Sequence, residues 1–209
     1  MAVHHPATIV PTKLQLLQAW VPHQPWIGGA DASTLIKLGS YRFDDPDGEV
    51  GVETHLLATA DGQVLQVPLT YRSAPRAGAE DSLITTMTHT TLGDRWIYDG
   101  CHDPVHVSAL VATIMTGGRE ADLYAATDQG LVLEPARTHV RGSGSSTAVP
   151  ALTAPVVSHD GTTTTIDAGV RLTLPRVVDV AAAPGAGLTL SGTWPGQEVP
   201  CVVASVVVP

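Results

Sequence analysis

Two stretches of the chain carry apolar residues at helical spacing. In the first, Leu14 and Leu17 fall on one face, Thr12 is placed to cap the start, and Pro22 ends the pattern. We therefore predict a helix over 13–21.

The second helical stretch follows Asp103, a good N-cap, and Pro104, a good first helical residue. Gly117-Gly118 supplies the stop. The apolar positions recur at i, i+3, i+4, i+7 and i+8, which predicts a helix with one buried stripe made of Val107, Leu110, Val111, Ile114 and Met115.

Between the helices the chain is rich in β-branched residues and interrupted by turns. Asp61-Gly62 is a hairpin signal. Pro68 interrupts the strand after it, which predicts an edge strand or a bulge at that position. The predicted strands are TLIKLGSYRF, VGVETHLLATA, VLQVPLTYR, LITTMTHTTL and RWIY.

Beyond residue 118 no helical periodicity remains, and turn signals recur about every ten residues. Hairpins are predicted around 128–130 and 160–161, then a strand that contains Pro175. The pattern predicts an α+β fold: a curled antiparallel sheet packed against two helices in residues 1–118, and a β-rich half in 119–209. We expect the second half to depend on the first half for part of its hydrophobic core.

Composition narrows the class of protein. The 209 residues are 44% hydrophobic and 15% charged, which is typical of a folded chain. A formal net charge of −9 argues against nucleic acid or an anionic membrane surface as partner. Without a signal-peptide pattern or an apolar run that could span a bilayer, the expected location is the cytoplasm. Cys101 and Cys201 form no metal-type spacing, and their pairing stays open.

The order of these elements, together with several short sequence motifs, resembles the N-terminal cap domain of the actinobacterial maltokinases. The resemblance rests on WVPHQPWIGG after the first helix, the strand VLQVPLTYR, and RWIYDGCHDPVHVSALVATIM, and it covers about residues 12–118. It implies a cap-like first half. More weakly, the second half resembles the intermediate region of those kinases, with VRGSGSSTAVP at a polar phosphate-side loop and VRLTLPRVV on the lysine-bearing strand.

Departures from that family predict that the chain is not an enzyme. Thr173 stands where such a kinase carries the lysine that contacts ATP phosphates, and a hydroxyl cannot offset phosphate charge. The catalytic lobe would follow Pro209. We therefore expect a non-catalytic binding or regulatory protein, with no cofactor, linked by family context to glycogen, maltose or trehalose metabolism.

Residues 99–106 hold two histidines, a cysteine and two aspartates, which raises a metal or nucleophile site. His102 precedes the predicted cap and His106 lies in the first turn, so they are not a chelating pair on one helical face. Cys101 beside His102 is a weak nucleophile signal. Capping and packing are the favoured interpretation, and no catalytic or metal residue is assigned.

Other polar clusters have similarly plain interpretations. The run 142–147 lacks a P-loop ending and is predicted to be a mobile linker rather than a phosphate cradle. His55 and His89 lie in predicted strands that would bring them face to face only if those strands pair. The acidic turn DDPDGE lacks calcium-loop spacing, and His4-His5 would bind metal only adventitiously.

The aromatic residues are the remaining candidates for a binding surface. Flat rings stack on the apolar faces of sugars, although the alternative that they fill the core is favoured because the chain has one phenylalanine. The predicted carbohydrate or partner contacts are Trp20, Trp26, Trp96 and Tyr98.

Expected partners are a separately encoded sugar kinase or glucan-processing protein, or a second copy of the chain. The apolar strand near 199–208 would be an association site unless it is paired. The alternatives left open are a carbohydrate-active enzyme of α-glucan metabolism, which needs two carboxylates in a cleft, and an accessory subunit of a sugar kinase.

Overall fold

The structure, a computed structural model, describes residues 2–4 and 7–209, with side chains described from residue 7 onward. Two α-helices, α1 (Lys13–Trp20) and α2 (Pro104–Thr116), accompany mostly antiparallel strands, so the predicted α+β class is confirmed. The strands are β1 (Ala2–His4), β2 (Ile9–Val10), β3 (Ile36–Phe43), β4 (Gly51–Ala58), β5 (Val64–Arg72), β6 (Leu83–His89), β7 (Gly93–Asp99), β8 (Leu123–Thr127), β9 (Gly130–Glu134), β10 (His139–Gly142), β11 (Val156–Asp160), β12 (Thr163–Asp167), β13 (Arg171–Pro175), β14 (Val177–Val178), β15 (Leu188–Trp194) and β16 (Gln197–Val207).

Both helices begin as their sequence signals predict. Thr12 caps α1 in a reciprocal capping box with Gln15, and the helix ends at Trp20, where a short 3-10 turn that contains Pro22 takes over. The Asp103 carboxylate accepts a hydrogen bond from the Val105 amide and caps α2. All five predicted stripe residues of α2 are buried.

The first sheet has seven strands in the order β2-β6-β7-β5-β4-β3, with β14 added at the start of β5, and it is curled. The prediction for Pro68 is wrong, because β5 is central and pairs with β4 in unbroken register. On its other side β5 pairs with β14 only through Val64 and Leu65, and with β7 only from Leu69 onward. Pro68 falls in the gap between these partners, where a missing N–H costs no ladder bond.

The sheet buries both faces. One face packs on α1 and the 3-10 turn Pro25–Ile27, through a core that includes Leu17, Trp26 and Leu57. The other face packs on α2 through a larger core, which also takes in residues of the second sheet such as Leu172 and Val203. That larger core therefore draws on both sides of Gly117-Gly118. The division into domains 1–118 and 119–209 stays a prediction.

The second sheet has six strands in the order β10-β15-β16-β13-β12-β11. The hairpins predicted around 128–130 and 160–161 join β8 to β9 and β11 to β12. β16 pairs with β15 along most of its length and with β13 at residues 205–207. The 199–208 strand is therefore paired, which is the condition under which it is not expected to be an association site. A small third sheet, β1-β8-β9, completes the fold.

The predicted strand through Pro175 divides between the two large sheets. β13 ends at Pro175, and β14 leaves to pair with β5. Between them Arg176 is fully buried; its Nη2 atom lies 2.5 Å from the Asp99 carboxylate and its Nε donates to Thr164 Oγ1 at 2.9 Å. The guanidinium also lies 4.6 Å from the Trp26 ring centre. One side chain thereby joins both sheets and the 3-10 turn beside α1.

The glycine-serine run 142–147 is not a mobile linker. The Gly144 amide donates to the Ile114 carbonyl and the Ser146 amide to the Met115 carbonyl, so the run satisfies carbonyls that the last turn of α2 leaves open. A Cβ at Gly142 would lie 2.0 Å from the Thr113 carbonyl oxygen. Close backbone contact with a helix end, rather than flexibility, explains this composition.

Within residues 2–4 and 7–209, neither helix has the length and apolar character needed to cross a membrane.

Replacing Arg176 by Met should destabilise the protein strongly. The substitution keeps the volume but leaves Asp99 buried without its cation, and breaking a buried pair in this way costs about 3–5 kcal/mol. Urea unfolding measures the change. Arg171→Met, which removes the exposed pair with Asp167 in β12, is the control and should leave the unfolding midpoint unchanged. Equal midpoints for the two variants would contradict the role given to Arg176.

Gly142→Ala should also lower stability, because the new methyl group meets the α2 backbone and cannot be accommodated without moving it. Overpacking of this kind costs about 1–3 kcal/mol. Thermal denaturation checks it against Gly185→Ala, where a Cβ meets nothing within 4 Å. If both alanines are tolerated alike, the run does not clamp the helix end.

Candidate functional site

A cleft of about 1150 Å³ opens over the α1 side of the first sheet. Strands β3, β4 and β5 contribute its floor, the N-terminal end of α1 closes one side, and segments 119–123 and 133–139 form the opposite wall. The net charge of the chain is −9, yet six of its eleven lysine and arginine residues line this cleft: Lys13, Lys37, Arg42, Arg95, Arg119 and Arg137. The cleft therefore gathers more than half of the lysine and arginine side chains of an acidic protein, together with five carboxylates: Glu49, Glu53, Glu120, Asp122 and Glu134.

Glu53 is the buried centre of the cleft. Strand alternation places it on the α1 face of the sheet, the same face as Leu57 of the apolar core, and it retains 3% of its exposure. Its Oε2 atom lies 2.5 Å from Lys13 Nζ and 2.9 Å from Arg42 Nη2. Lys13 arrives there because the Thr12 cap fixes the first turn of α1 over β4.

The two cations determine the protonation of Glu53. Burial alone would raise the pKa of its carboxyl group, but the charges of Lys13 and Arg42 outweigh burial and hold that pKa well below its usual value. Glu53 in turn raises the pKa of Arg42. The carboxylate is thus charged at neutral pH.

His55 and Tyr71 extend the cluster into the sheet. His55 Nε2 lies 3.0 Å from the Tyr71 hydroxyl, which also hydrogen-bonds Glu53. Burial raises the pKa of Tyr71 and lowers that of His55 to about 4, so both are neutral. Since a carboxylate only accepts, Tyr71 donates to Glu53 and His55 Nε2 donates to Tyr71. The remaining ring nitrogen, Nδ1, is unprotonated and has no partner among the described residues.

A second buried carboxylate lies in the far wall. Glu120 accepts from the Val140 amide at 2.9 Å, and its other oxygen lies 2.9 Å from His139 Nδ1. Beside it, Arg119 pairs with Asp122 at 2.9 Å. Lys37 and Arg137, both exposed, carry the cationic charge at the mouth of the cleft.

This arrangement is suited to holding a constant charge on Glu53 rather than to transferring protons. A carboxylate held deprotonated by two cations and a hydroxyl has no proton to give and little basicity, so Glu53 is a poor general acid or base. The exposed cations and hydroxyls at the mouth remain available to hydrogen-bond a ligand.

Sequence reasoning missed this cluster, although a signal was present. VGVETHLLA places a glutamate and a histidine inside an otherwise apolar strand, as LPRVV does an arginine. Charged residues are almost never fully buried unless they are paired, so such positions predict buried partners. Which partners they find depends on strand order.

The four predicted aromatic contacts do not share one surface. Trp20 and Trp26 pack together on the α1 face with ring centres 5.9 Å apart. Trp96 and Tyr98 lie on the other face, opposite Arg72 and Thr70 of β5. Trp26 and Tyr98 are buried, whereas Trp20 and Trp96 are half-buried. A carbohydrate or partner contact by the latter two stays a prediction.

The stretch at 99–106 packs and caps, as the favoured interpretation holds. Asp99 accepts from the Cys101 amide in a short 3-10 turn, and Asp103 binds Arg72 with two hydrogen bonds of 2.7 Å. Burial raises the pKa of the Cys101 thiol, which is therefore no nucleophile. Burial likewise lowers the pKa of His106 to about 4. Cys101 and Cys201 are separate free thiols.

The other sequence candidates do not assemble into sites. His55 and His89 lie on β4 and β6, which do not pair. Asp45 of the acidic turn accepts from the amides of Asp47, Glu49 and Val50. Among the residues described, no group of three or more His, Cys, Asp or Glu side chains could hold a metal ion. His5 and the side chain of His4 lie outside that part of the chain.

Comparison with known families agrees with the resemblance. Residues 20–103 match the model of the maltokinase N-terminal cap domain. The match starts at the last residue of α1 and stops at the N-cap of α2, so it spans the first sheet from β3 to β7. It suggests a maltokinase-related role linked to maltose or glycogen. No curated protein matches the chain.

Stability should rise with pH between about 4 and 6.5. The folded-state pKa values of His55 and His106 are near 4, below the ordinary value of 6.5, so the unfolded chain binds more protons in that window. Urea unfolding across this range measures the slope, and His55→Asn should reduce it by about 1 kcal/mol per pH unit. His23→Asn, at an exposed position, is the control. An unaltered slope in His55→Asn would show that His55 is not held neutral.

Proposed function

We propose that the chain is a non-catalytic binding or regulatory protein of maltose, glycogen or trehalose metabolism, built on a maltokinase cap-like domain. The observation that carries the proposal is the state of the two buried carboxylates in the cleft. Glu53 is bound by Lys13 and Arg42, and Glu120 by the Val140 amide and His139. Because both carboxylates already have partners, they are poorly placed to transfer protons, which supports a binding surface rather than a catalytic site.

The cap-domain match supports the carbohydrate connection. The cleft offers what a polyhydroxyl ligand needs at its mouth: the ammonium of Lys37, the guanidinium groups of Arg95 and Arg137, and the Ser40 hydroxyl as hydrogen-bond donors. The rigid Glu53 network beneath keeps the floor from rearranging when a ligand binds.

The alternative of an α-glucan hydrolase has less support. Such an enzyme needs one carboxyl group that carries a proton and a second carboxylate near it. The cations around Glu53 oppose the first requirement. An accessory subunit of a sugar kinase remains compatible with the proposal, since it too acts by binding.

Calorimetric titration with maltose, trehalose and soluble glycogen tests the binding function. We expect at least one to bind, and Arg137→Ala to weaken it about tenfold through the loss of a charge-assisted hydrogen bond. Arg171→Ala, on the second sheet and outside the cleft, is the matched control and should bind normally. Equal effects of both variants would remove the cleft from the proposal.

Turnover is tested separately. The purified chain is incubated with ATP, Mg²⁺ and maltose, and in parallel with glycogen followed by a reducing-sugar assay. We expect no product in either. Product that a single carboxylate-to-amide substitution abolishes would refute the non-catalytic assignment.

A further inference from the structure

A second groove, of about 820 Å³, lies on the opposite side of the first sheet. One wall is the acidic turn at 44–47 between β3 and β4, and the floor is the outward side of α2. Segments 119–122 and 149–152 complete it. The groove is of the size that takes up small ligands or short peptide segments.

The floor of the groove is largely apolar and is lined by small side chains. The outward side of α2 carries the small side chains Ser108, Ala109 and Ala112, while its large residues point into the core. Half-buried Val105 and Leu152 flank them, and Val149 is 38% exposed. A partner side chain laid here would remove apolar surface from water on both molecules.

The rim of the groove is acidic. One cation lines it, Arg119, and that guanidinium is already paired with Asp122. Five carboxylates line the groove: Asp44, Asp45, Asp47, Glu120 and Asp122. Glu120 is buried and Asp45 binds amides of its own turn, so the exposed carboxylates that the turn offers to a partner are those of Asp44 and Asp47. The groove is therefore more acidic than the cleft on the other face, where six cations accompany five carboxylates.

From this complementarity we propose that the groove docks a short segment of a partner protein in which lysine or arginine alternates with aliphatic side chains. Aliphatic residues and the methylene stems of the cations would cover the floor, and the cationic heads would reach the carboxylates at the rim. A sugar fits less well, because among the described lining residues the only aromatic ring belongs to Phe43, which is buried. A second copy fits less well, because it also carries a net charge of −9.

The inference deepens the proposed function, since it gives the binding protein a second, protein-directed surface. The two sites share segment 119–122, but the turn and the floor of the groove are separate from the cleft, since none of residues 44–47 or 104–113 lines it. The variants that test this surface can therefore be placed outside the cleft.

The probe is a short fluorescein-labelled peptide in which lysine and leucine alternate, followed by fluorescence anisotropy with the full chain. Two matched peptides, with glutamate for lysine or serine for leucine, separate charge from apolar contact. We expect the lysine-leucine peptide to bind at least about tenfold more tightly than either. Equal binding of the lysine-serine peptide would overturn the role of the apolar floor.

Two variants test whether the peptide binds in the groove. Asp47→Lys reverses charge at the rim, and Ala112→Phe fills the floor; each should weaken binding about tenfold. Asp128→Lys makes the same charge change in the β8–β9 turn, outside the groove, and should have little effect. If Asp47→Lys and Asp128→Lys weaken binding alike, the peptide senses only the net charge of the chain and the proposal fails.

Circular dichroism of each variant checks the fold, and sugar titration of Asp47→Lys should match that of the unmodified chain. A groove variant that loses both ligands would contradict the separation of the two surfaces. Sugar binding that fails in the unmodified chain while the peptide still binds would refute the proposed carbohydrate role and leave the groove in place.

Discussion

The burial of a charged side chain between two sheets constrains the whole architecture. Arg176 has no exposure, so it must find its partners inside the protein, and it finds them on three elements: Asp99 at the end of β7, Thr164 on β12 and the ring of Trp26. Gln66 adds to this, donating from its side chain to the Pro175 and Val203 carbonyls. The cap-like sheet and the second sheet are therefore joined by hydrogen bonds as well as by a shared apolar core.

The same constraint acts at Glu53, with a different result. There the charge lies at the border of the apolar layer, and its partners Lys13 and Arg42 reach it from a cleft open to solvent. Burial disfavours the ionised carboxylate of Glu53, but the two cations offset that cost and keep it ionised. The site therefore holds a constant negative charge at neutral pH. A carboxylate that stays charged near neutral pH suits recognition better than proton transfer.

Much of the fold follows from short-range signals that act within a few residues. Thr12 and Asp103 cap the helices as predicted, and the turns at Asp61-Gly62 and Asp160-Gly161 form the expected hairpins, because capping and left-handed turn residues depend on local backbone geometry. The failures are non-local. Pro68 is tolerated in a central strand because, along one edge of β5, β14 pairs before it in sequence and β7 pairs after it. No pattern within one strand carries that information.

The candidate site was less predictable than the fold for the same reason. Lys13 and Glu53 are forty positions apart, and their meeting depends on how α1 crosses β4. The cleft and the groove then share one wall, since segment 119–122 lines both, with Arg119 and Asp122 paired to each other in it. Because that wall belongs to both sites, the groove differs from the cleft only in its other parts: the turn at 44–47, the outward side of α2 and segment 149–152.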